Sequence, residues 1–97
     1  MPTVNQVGVA KANSLISSGN VDHTSSWSFS PNDGNALLGP NGDNWEQYAS
    51  AHLAIDGSAP EKTKAHYGYP FAKLVGGKLT LFRSAVTAIR QRAGQQH

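Results

Sequence analysis

Apolar residues near the N-terminus recur with the spacing of a helix. The positions that approximate a 3.6-residue stripe over residues 5–18 are Val4, Val7, Ala10, Ala12, Leu15 and Ile16. Gly19 follows where a left-handed residue is expected to end a helix. Gly8 costs the helix about 1 kcal/mol relative to alanine, so the helix needs tertiary support. The pattern predicts an amphipathic helix over residues 5–18.

Short apolar turns alternate with polar loops in the middle of the chain. Trp27 and Phe29 are two residues apart in a stretch rich in Ser and Thr, which predicts an extended segment with both rings on one side, directed into the core. The Ser-Pro step after Phe29 is typical of a helix start. Residues 44–51 predict a further short helix that carries Trp45 and Tyr48 inward.

Two interpretations fit the segment that follows. Residues 52–56 either continue the preceding helix or form a strand with Leu53 and Ile55 buried. Residues 58–61, reading SAPE, have the spacing of a capping box. That spacing predicts a short helix to about His66.

Residues 65–92 contain the clearest pattern in the protein. Gly-Gly at positions 76 and 77 separates two short apolar runs, which predicts one small β-hairpin near 71–81. Tyr69 precedes a proline and is expected to be extended or in a turn. Residues 82–93 predict an amphipathic C-terminal helix with Phe82, Ile89 and other apolar residues on one face. The resulting fold class is α+β and mostly helical: several short helices, the hairpin and the C-terminal helix, in a single small domain over residues 1–97.

The charge is distributed unevenly along this chain of 97 residues, which has no cysteine and a net charge of +2. Residues 1–61 hold six acids and one base, whereas residues 62–97 hold seven bases and no acid. The absence of cysteine excludes a disulfide and a zinc site built on cysteine. The charge polarity indicates either an anionic partner or two halves that attract each other on folding.

The residues do not form a recognisable catalytic signature. His52 and Asp56 share a helix face if that segment is helical, but the sequence contains no HExxH, GxSxG or GxxxxGK[ST] pattern. An enzyme with a site on His52, Asp56 and His66 is therefore a minor hypothesis. We expect a protein that is not an enzyme, with no catalytic residue, no metal and no cofactor.

Basic residues near the C-terminus are the candidate contact surface. They are Lys73, Lys78, Arg83 and Arg90. Basic side chains on one face are sufficient for phosphate contacts. Exposed Tyr67, Tyr69 or Phe71 could stack on the bases of a nucleic acid. Alternatively the aromatic rings form the core and the bases are a solvated face. No apolar run approaches the roughly 20 residues that span a bilayer, so we expect no membrane contact.

The order of several motifs resembles small domains encoded in tailed-phage and prophage genomes near head genes, and segments linked to prohead proteases and other head-morphogenesis proteins. The motifs are residues 12–21 (ANSLISSGNV), 27–38 (WSFSPNDGNALL), 43–56 (DNWEQYASAHLAID) and 63–93 (TKAHYGYPFAKLVGGKLTLFRSAVTAIRQRA). The matching motifs are structural, and no residue matches a catalytic His–Ser arrangement. The resemblance also implies that a further helix could follow, so the chain is expected to be either a complete domain or one truncated after its C-terminal helix.

This resemblance implies a non-enzymatic binding protein of a phage or prophage, active in head assembly or attached to the virion. Its expected partner is a phage head or capsid protein, and it could form oligomers. The expected location is the cytoplasm of the bacterial host, or the virion. The alternative function is binding of nucleic acid or a nucleoprotein complex, including inhibition of a host defence.

Overall fold

The computed structural model describes residues 3–95, with side chains as far as Ile89. The first half contains β1 (Thr3–Val4), α1 (Gln6–Ser18), β2 (Val21–Asp22), α2 (Pro31–Leu38) and α3 (Trp45–Ser50). The second half contains β3 (His52–Ile55), a 3-10 turn (Lys64–His66), β4 (Tyr67–Pro70), β5 (Ala72–Val75), β6 (Lys78–Phe82) and α4 (Arg83–Gln95).

The strands form two three-stranded sheets in the described part of the chain. One sheet has the antiparallel order β1-β3-β4. The other has the order β2-β6-β5, in which β5 and β6 are antiparallel and β2 runs parallel to β6. The α+β class is therefore confirmed, but the expectation of a mostly helical fold is wrong. The short strands β1 and β2 were missed because two residues carry no readable period.

The predicted hairpin is present as β5 and β6, and the chain enters it directly from β4 of the first sheet. Gly76 and Gly77 have φ values of 59° and 81°, the left-handed pair that a tight turn between twisted strands requires. Phe71 separates β4 from β5 and is fully buried. Its N–H donates to the carbonyl of Ala51, the residue before β3, and its carbonyl accepts from the N–H of Phe82 in β6, both at 3.0 Å. Phe71 thus joins the two sheets.

Helix α1 has the predicted extent, but most of its apolar stripe is not buried. Val7 and Ile16 are 54% and 58% exposed, whereas Gly8 and Leu15 are buried. Gly8 explains this orientation, because a Cβ atom there would lie 1.8 Å from the His52 carbonyl oxygen. The helix backbone therefore approaches β3 through Gly8, and the valine next to it faces outward.

Two predictions for residues 52–66 are wrong. The segment after α3 is a strand, but its buried residues are His52 and Ala54, while Leu53 and Ile55 are only half-buried. The capping-box helix does not form, because the Ser58 hydroxyl and N–H both donate to the Asp56 carboxylate. These bonds close a turn instead of starting a helix.

The core lies between the helices and the two sheets. Its largest members each expose less than a tenth of their surface to solvent: Leu15, Leu37, Leu38, Tyr48, Phe71, Leu81 and Phe82. Trp27 and Phe29 pack against this core with stacked rings 5.7 Å apart, as their spacing predicted. Phe82 ends β6 instead of starting the last helix, and its ring lies 5.2 Å from that of Trp27.

Candidate binding site on the fourth helix

Lys73 connects the hairpin to the segment before α2. Its Nζ donates to the Ser28 carbonyl at 2.7 Å and lies 3.7 Å from the Asp33 carboxylate. The same ammonium lies 5.5 Å from the centre of the Trp27 ring and 5.2 Å from that of Phe82. A hydrogen bond from the Ser30 N–H, aided by the Lys73 charge, lowers the pKa of Asp33. A partner that contacts Lys73 would have to compete with these contacts.

The other candidate bases lie apart from one another. Lys78 is exposed at the start of β6, and Arg83 is exposed at the start of α4. Five residues of extended strand separate them by about 17 Å. The side chain of Arg90 lies outside the described residues. Of the four predicted bases, Lys78 and Arg83 therefore lie well apart along the chain.

An apolar cavity of about 340 Å³ lies between α4 and the turn that ends β4. Its lining is Trp27, Tyr69, Pro70, Ala85, Ala88 and Ile89. Tyr69 has φ of 55°, a left-handed conformation that bulky residues rarely adopt. The expectation of an extended or turn conformation before the proline did not anticipate this value.

A polar cavity of about 350 Å³ lies on the other side of Ala88. Its lining is His23, Thr24, Ser25, Arg83, Ser84, Thr87 and Ala88. Because β2 and β6 are parallel, their carboxyl ends meet at one edge of the sheet. The loop after β2 and the first turn of α4 are thereby brought together.

Hydrogen bonds fix the walls of the polar cavity. The Ser84 hydroxyl donates to the Ser25 carbonyl at 2.9 Å and ties α4 to the loop. The Asp22 carboxylate accepts from the N–H groups of Thr24 and Ser25, at 3.0 and 2.8 Å, and these bonds lower the pKa of Asp22. Arg83 is exposed, and no hydrogen bond or ion pair of its guanidinium is found among the described side chains. Its charge is available to a ligand.

A third cavity, of about 610 Å³, lies between α1 and α3. The lining includes Val7, Ala10, Lys11, Glu46 and Leu79. The bases that the sequence singled out do not line it. Val7 and Ala10, the valine and alanine of α1 in this lining, are both exposed.

The structure brings two of the three candidates together, because the Asp56 N–H donates to the His66 carbonyl at 2.8 Å, but His52 lies at the other end of β3. His52 is 2% exposed, and its Nδ1 lies 2.7 Å from the Tyr48 carbonyl, so Nδ1 carries the proton. Burial lowers the pKa of His52 to about 4. Asp56 lies four residues after His52, about 13 Å away along extended chain. Its carboxylate accepts a hydrogen bond from the Ser58 N–H. His66 Nδ1 bonds the Ala59 carbonyl at 3.0 Å. Among the residues that the structure describes, no group of three acids or histidines could hold a metal ion.

The fold and the cavities define a small α+β domain with two adjoining concave surfaces on α4. No protein-family model, curated protein or solved structure matches the chain. None of the described helices is long and apolar enough to cross a membrane.

Sequence reasoning found Arg83 and the aromatic residues but missed the loop after β2. His23, Thr24 and Ser25 had no motif to distinguish them from other polar loop residues. These residues reach the site because β2 pairs in parallel with β6. β2 has two residues, which is too short a strand to be predicted from sequence. Tyr69 and Pro70 were the feature of the sequence that could have drawn attention to the apolar cavity.

Proposed function

We propose that this chain is a non-enzymatic binding domain of a tailed phage or prophage that acts in head assembly or on the virion by contacting a head or capsid protein. The motifs of residues 27–38 and 63–93 support the phage assignment through their resemblance to head-morphogenesis proteins. The host cytoplasm and the assembled particle are the proposed locations. Self-association into oligomers is compatible with this function.

The adjoining cavities on α4 carry the proposal of a binding role. One is lined by apolar and aromatic side chains, the other by hydroxyls, His23 and Arg83, and they meet at Ala88. Protein-binding sites commonly combine a concave apolar centre with a polar rim. We call the two cavities together the α4 site.

The test is association with the phage head. The tagged chain is expressed in an infected or lysogenic host, and its partners are identified by mass spectrometry in pull-downs and in purified particles. We expect a head or capsid protein to be recovered with the chain. Absence from particles together with no binding to purified head proteins would overturn the proposal.

Nucleic-acid or nucleoprotein binding is the second candidate function, including inhibition of a host defence. The exposed side chains of Lys78 and Arg83 and the excess of bases over residues 62–97 favour it. Charge reversal at Arg83 and Arg90 should then abolish oligonucleotide binding without unfolding the domain. Affinity should also fall steeply with salt. Undetectable or salt-insensitive binding to DNA and RNA would overturn direct binding.

A further inference from the structure

The α4 site joins two chemically different compartments across a single small residue. Ala88 lines both cavities and is exposed, so a single ligand lying across it would contact both. Such a pair selects for a ligand with an apolar group next to a polar or charged group.

The apolar cavity has the size and shape for a side chain rather than for a flat base. About 340 Å³ accommodates one large side chain, and half of the lining is contributed by Ala85, Ala88 and Ile89 of the helix. The aromatic rings of the lining are those of Trp27 and Tyr69, both half-buried. The Trp27 ring also packs on Phe29 and Phe82. Base stacking needs open ring faces, so an inserted aliphatic or aromatic side chain fits better.

Backbone strain at Tyr69 gives an independent reason to regard the apolar cavity as functional. A tyrosine at φ of 55° is less stable than one in an ordinary conformation. Lys62, the other non-glycine residue with positive φ in the described part of the chain, lies in an exposed loop that lines none of the three cavities. The strain at Tyr69 falls on the wall of the apolar cavity, where such outliers often shape a ligand site.

The charge of the polar cavity favours an anionic group. Arg83 and His23 supply the cationic and ring N–H donors of the lining. Ser84 and Thr87 already donate their hydroxyl protons to backbone carbonyls. The Asp22 carboxylate bonds the loop and adds a negative charge beside the polar cavity. A single carboxylate of a ligand is therefore repelled less than a doubly charged phosphate. The wider field agrees, because residues 62–97 contain seven bases and no acid.

We propose that the α4 site binds an acidic peptide segment of a partner protein, with one large apolar side chain in the apolar cavity and a nearby carboxylate on Arg83. This inference rests on the proposed binding function and specifies its ligand. A polynucleotide fits less well, because its affinity requires several phosphate contacts and Arg83 is the one Lys or Arg side chain in the described lining of the two cavities.

The test is a selection from a random short-peptide library displayed on particles, with the full chain as bait. Ala88→Phe blocks the junction of the cavities, and Ala36→Phe makes the same change at an exposed alanine of α2 that lines none of the three cavities. We expect the wild type and Ala36→Phe to enrich peptides with a large apolar residue close to Asp or Glu. We expect Ala88→Phe to lose this enrichment. Circular dichroism establishes that both variants fold, and if Ala88→Phe does not fold, Arg83→Gln takes its place.

Affinities of one enriched peptide then separate the two compartments. Replacing its apolar residue by Ala should weaken binding roughly tenfold, as for a residue that fills a pocket. Replacing its acid by the amide should weaken binding to the wild type about fivefold, as for one exposed ion pair, and have no further effect with Arg83→Gln. Equal enrichment by Ala88→Phe, or enriched peptides without acids, would overturn the inference.

Three outcomes distinguish this inference from the proposed function. If a head protein binds wild type and Ala88→Phe equally, the proposed function stands and the peptide site is wrong. If acidic apolar peptides bind but no head protein does, the site stands and the head function is wrong. Oligonucleotides that bind wild type but not Ala88→Phe, in the absence of peptide enrichment, would replace the peptide by a nucleic acid.

Discussion

His52 has a structural role at the scale of a single residue. The ring lies between the aromatic side chains of Phe29 and Tyr48, at centroid distances of 5.7 and 4.4 Å. Its Nδ1–H donates to the Tyr48 carbonyl, which connects α3 to β3. Burial in this setting disfavours the charged imidazolium. The residue that resembled a catalytic or metal-binding histidine is therefore a source of pH-dependent stability.

We expect the free energy of unfolding to fall by roughly 3 kcal/mol between pH 7 and pH 4 on account of His52. The unfolded histidine takes up a proton near pH 6.5, whereas the folded one does so only near pH 4. The unfolded state thus binds more protons within this window, and stability decreases as the pH falls through it. Urea unfolding at several pH values measures the change. His52→Asn keeps an N–H donor for Tyr48 and should remove the dependence; an unchanged pH profile would contradict the assignment.

Gly8 is required by the close approach of α1 to β3. We expect Gly8→Ala to cost about 3 kcal/mol or more, because the new methyl group would overlap the His52 carbonyl oxygen. Gly57→Ala is the matched control, since a Cβ atom there meets nothing within 4 Å. Its effect should remain within about 1 kcal/mol of wild type. Thermal melting of both variants provides the comparison, and a Gly8→Ala protein as stable as wild type would show that α1 packs differently.

At the scale of elements, β6 connects the hairpin, the parallel strand β2 and helix α4. Phe82 at its end is 4% exposed and contacts Trp27. We expect Phe82→Ala to cost roughly 3–5 kcal/mol, which approaches the whole stability of a domain of this size. Phe82→Leu should cost about 1.5 kcal/mol or less because it preserves most of the volume. Denaturant unfolding tests this, and wild-type behaviour of Phe82→Ala would place the ring outside the core.

The elements that sequence predicted are those with their own local signals. The Gly-Gly pair specifies the hairpin because both residues adopt positive φ, and Ser30 with Asp33 forms the capping box that starts α2. The face that α1 buries could not be predicted in the same way. It is decided by the contact between Gly8 and His52, which are 44 positions apart in the chain.

The alternation of apolar residues also predicted the wrong buried face for β3, because a polar residue is buried there. Leu53 and Ile55 suggested the inner face of β3, but His52 and Ala54 occupy it. Asn5 is buried beside them and donates to the carbonyls of Ala49 and His52. A hydrogen-bonded polar centre of this kind has no hydrophobic pattern from which it could be predicted.

The candidate site was predictable only in part, for the same reason. Arg83 and the Tyr-Pro step could be chosen from sequence, because charge and proline are visible there. Lys73 was grouped with Arg83 by charge alone, yet it contacts Ser28, Asp33 and two rings. The loop of residues 23–25 reaches α4 only through the pairing of β2 with β6.

At the scale of the whole molecule, charge polarity contributes little to folding. Among the described side chains, one ion pair joins the acidic and basic parts, between Asp33 and Lys73. We expect salt between about 0.1 and 1 M to change the free energy of unfolding by less than about 1 kcal/mol through screening. Urea unfolding at both salt concentrations, with a neutral osmolyte control, measures this. A loss of several kcal/mol would indicate that attraction between the halves stabilises the fold.

Among the described bases, Arg83 at the α4 site therefore remains available for an anionic or acidic partner. The apolar cavity beside it adds a contact that charge alone does not provide. We propose that the domain recognises a protein of the phage head through the α4 site.

Site-specific photo-crosslinking in the host tests this proposal. A photoreactive phenylalanine analogue replaces Ala88 in one protein and the exposed Ala36 of α2 in another, and both are irradiated in the infected or lysogenic host. We expect position 88 to form a crosslink to a head protein and position 36 to form none. A crosslink from position 36 alone, or none from position 88 in a folded protein, would contradict the proposal.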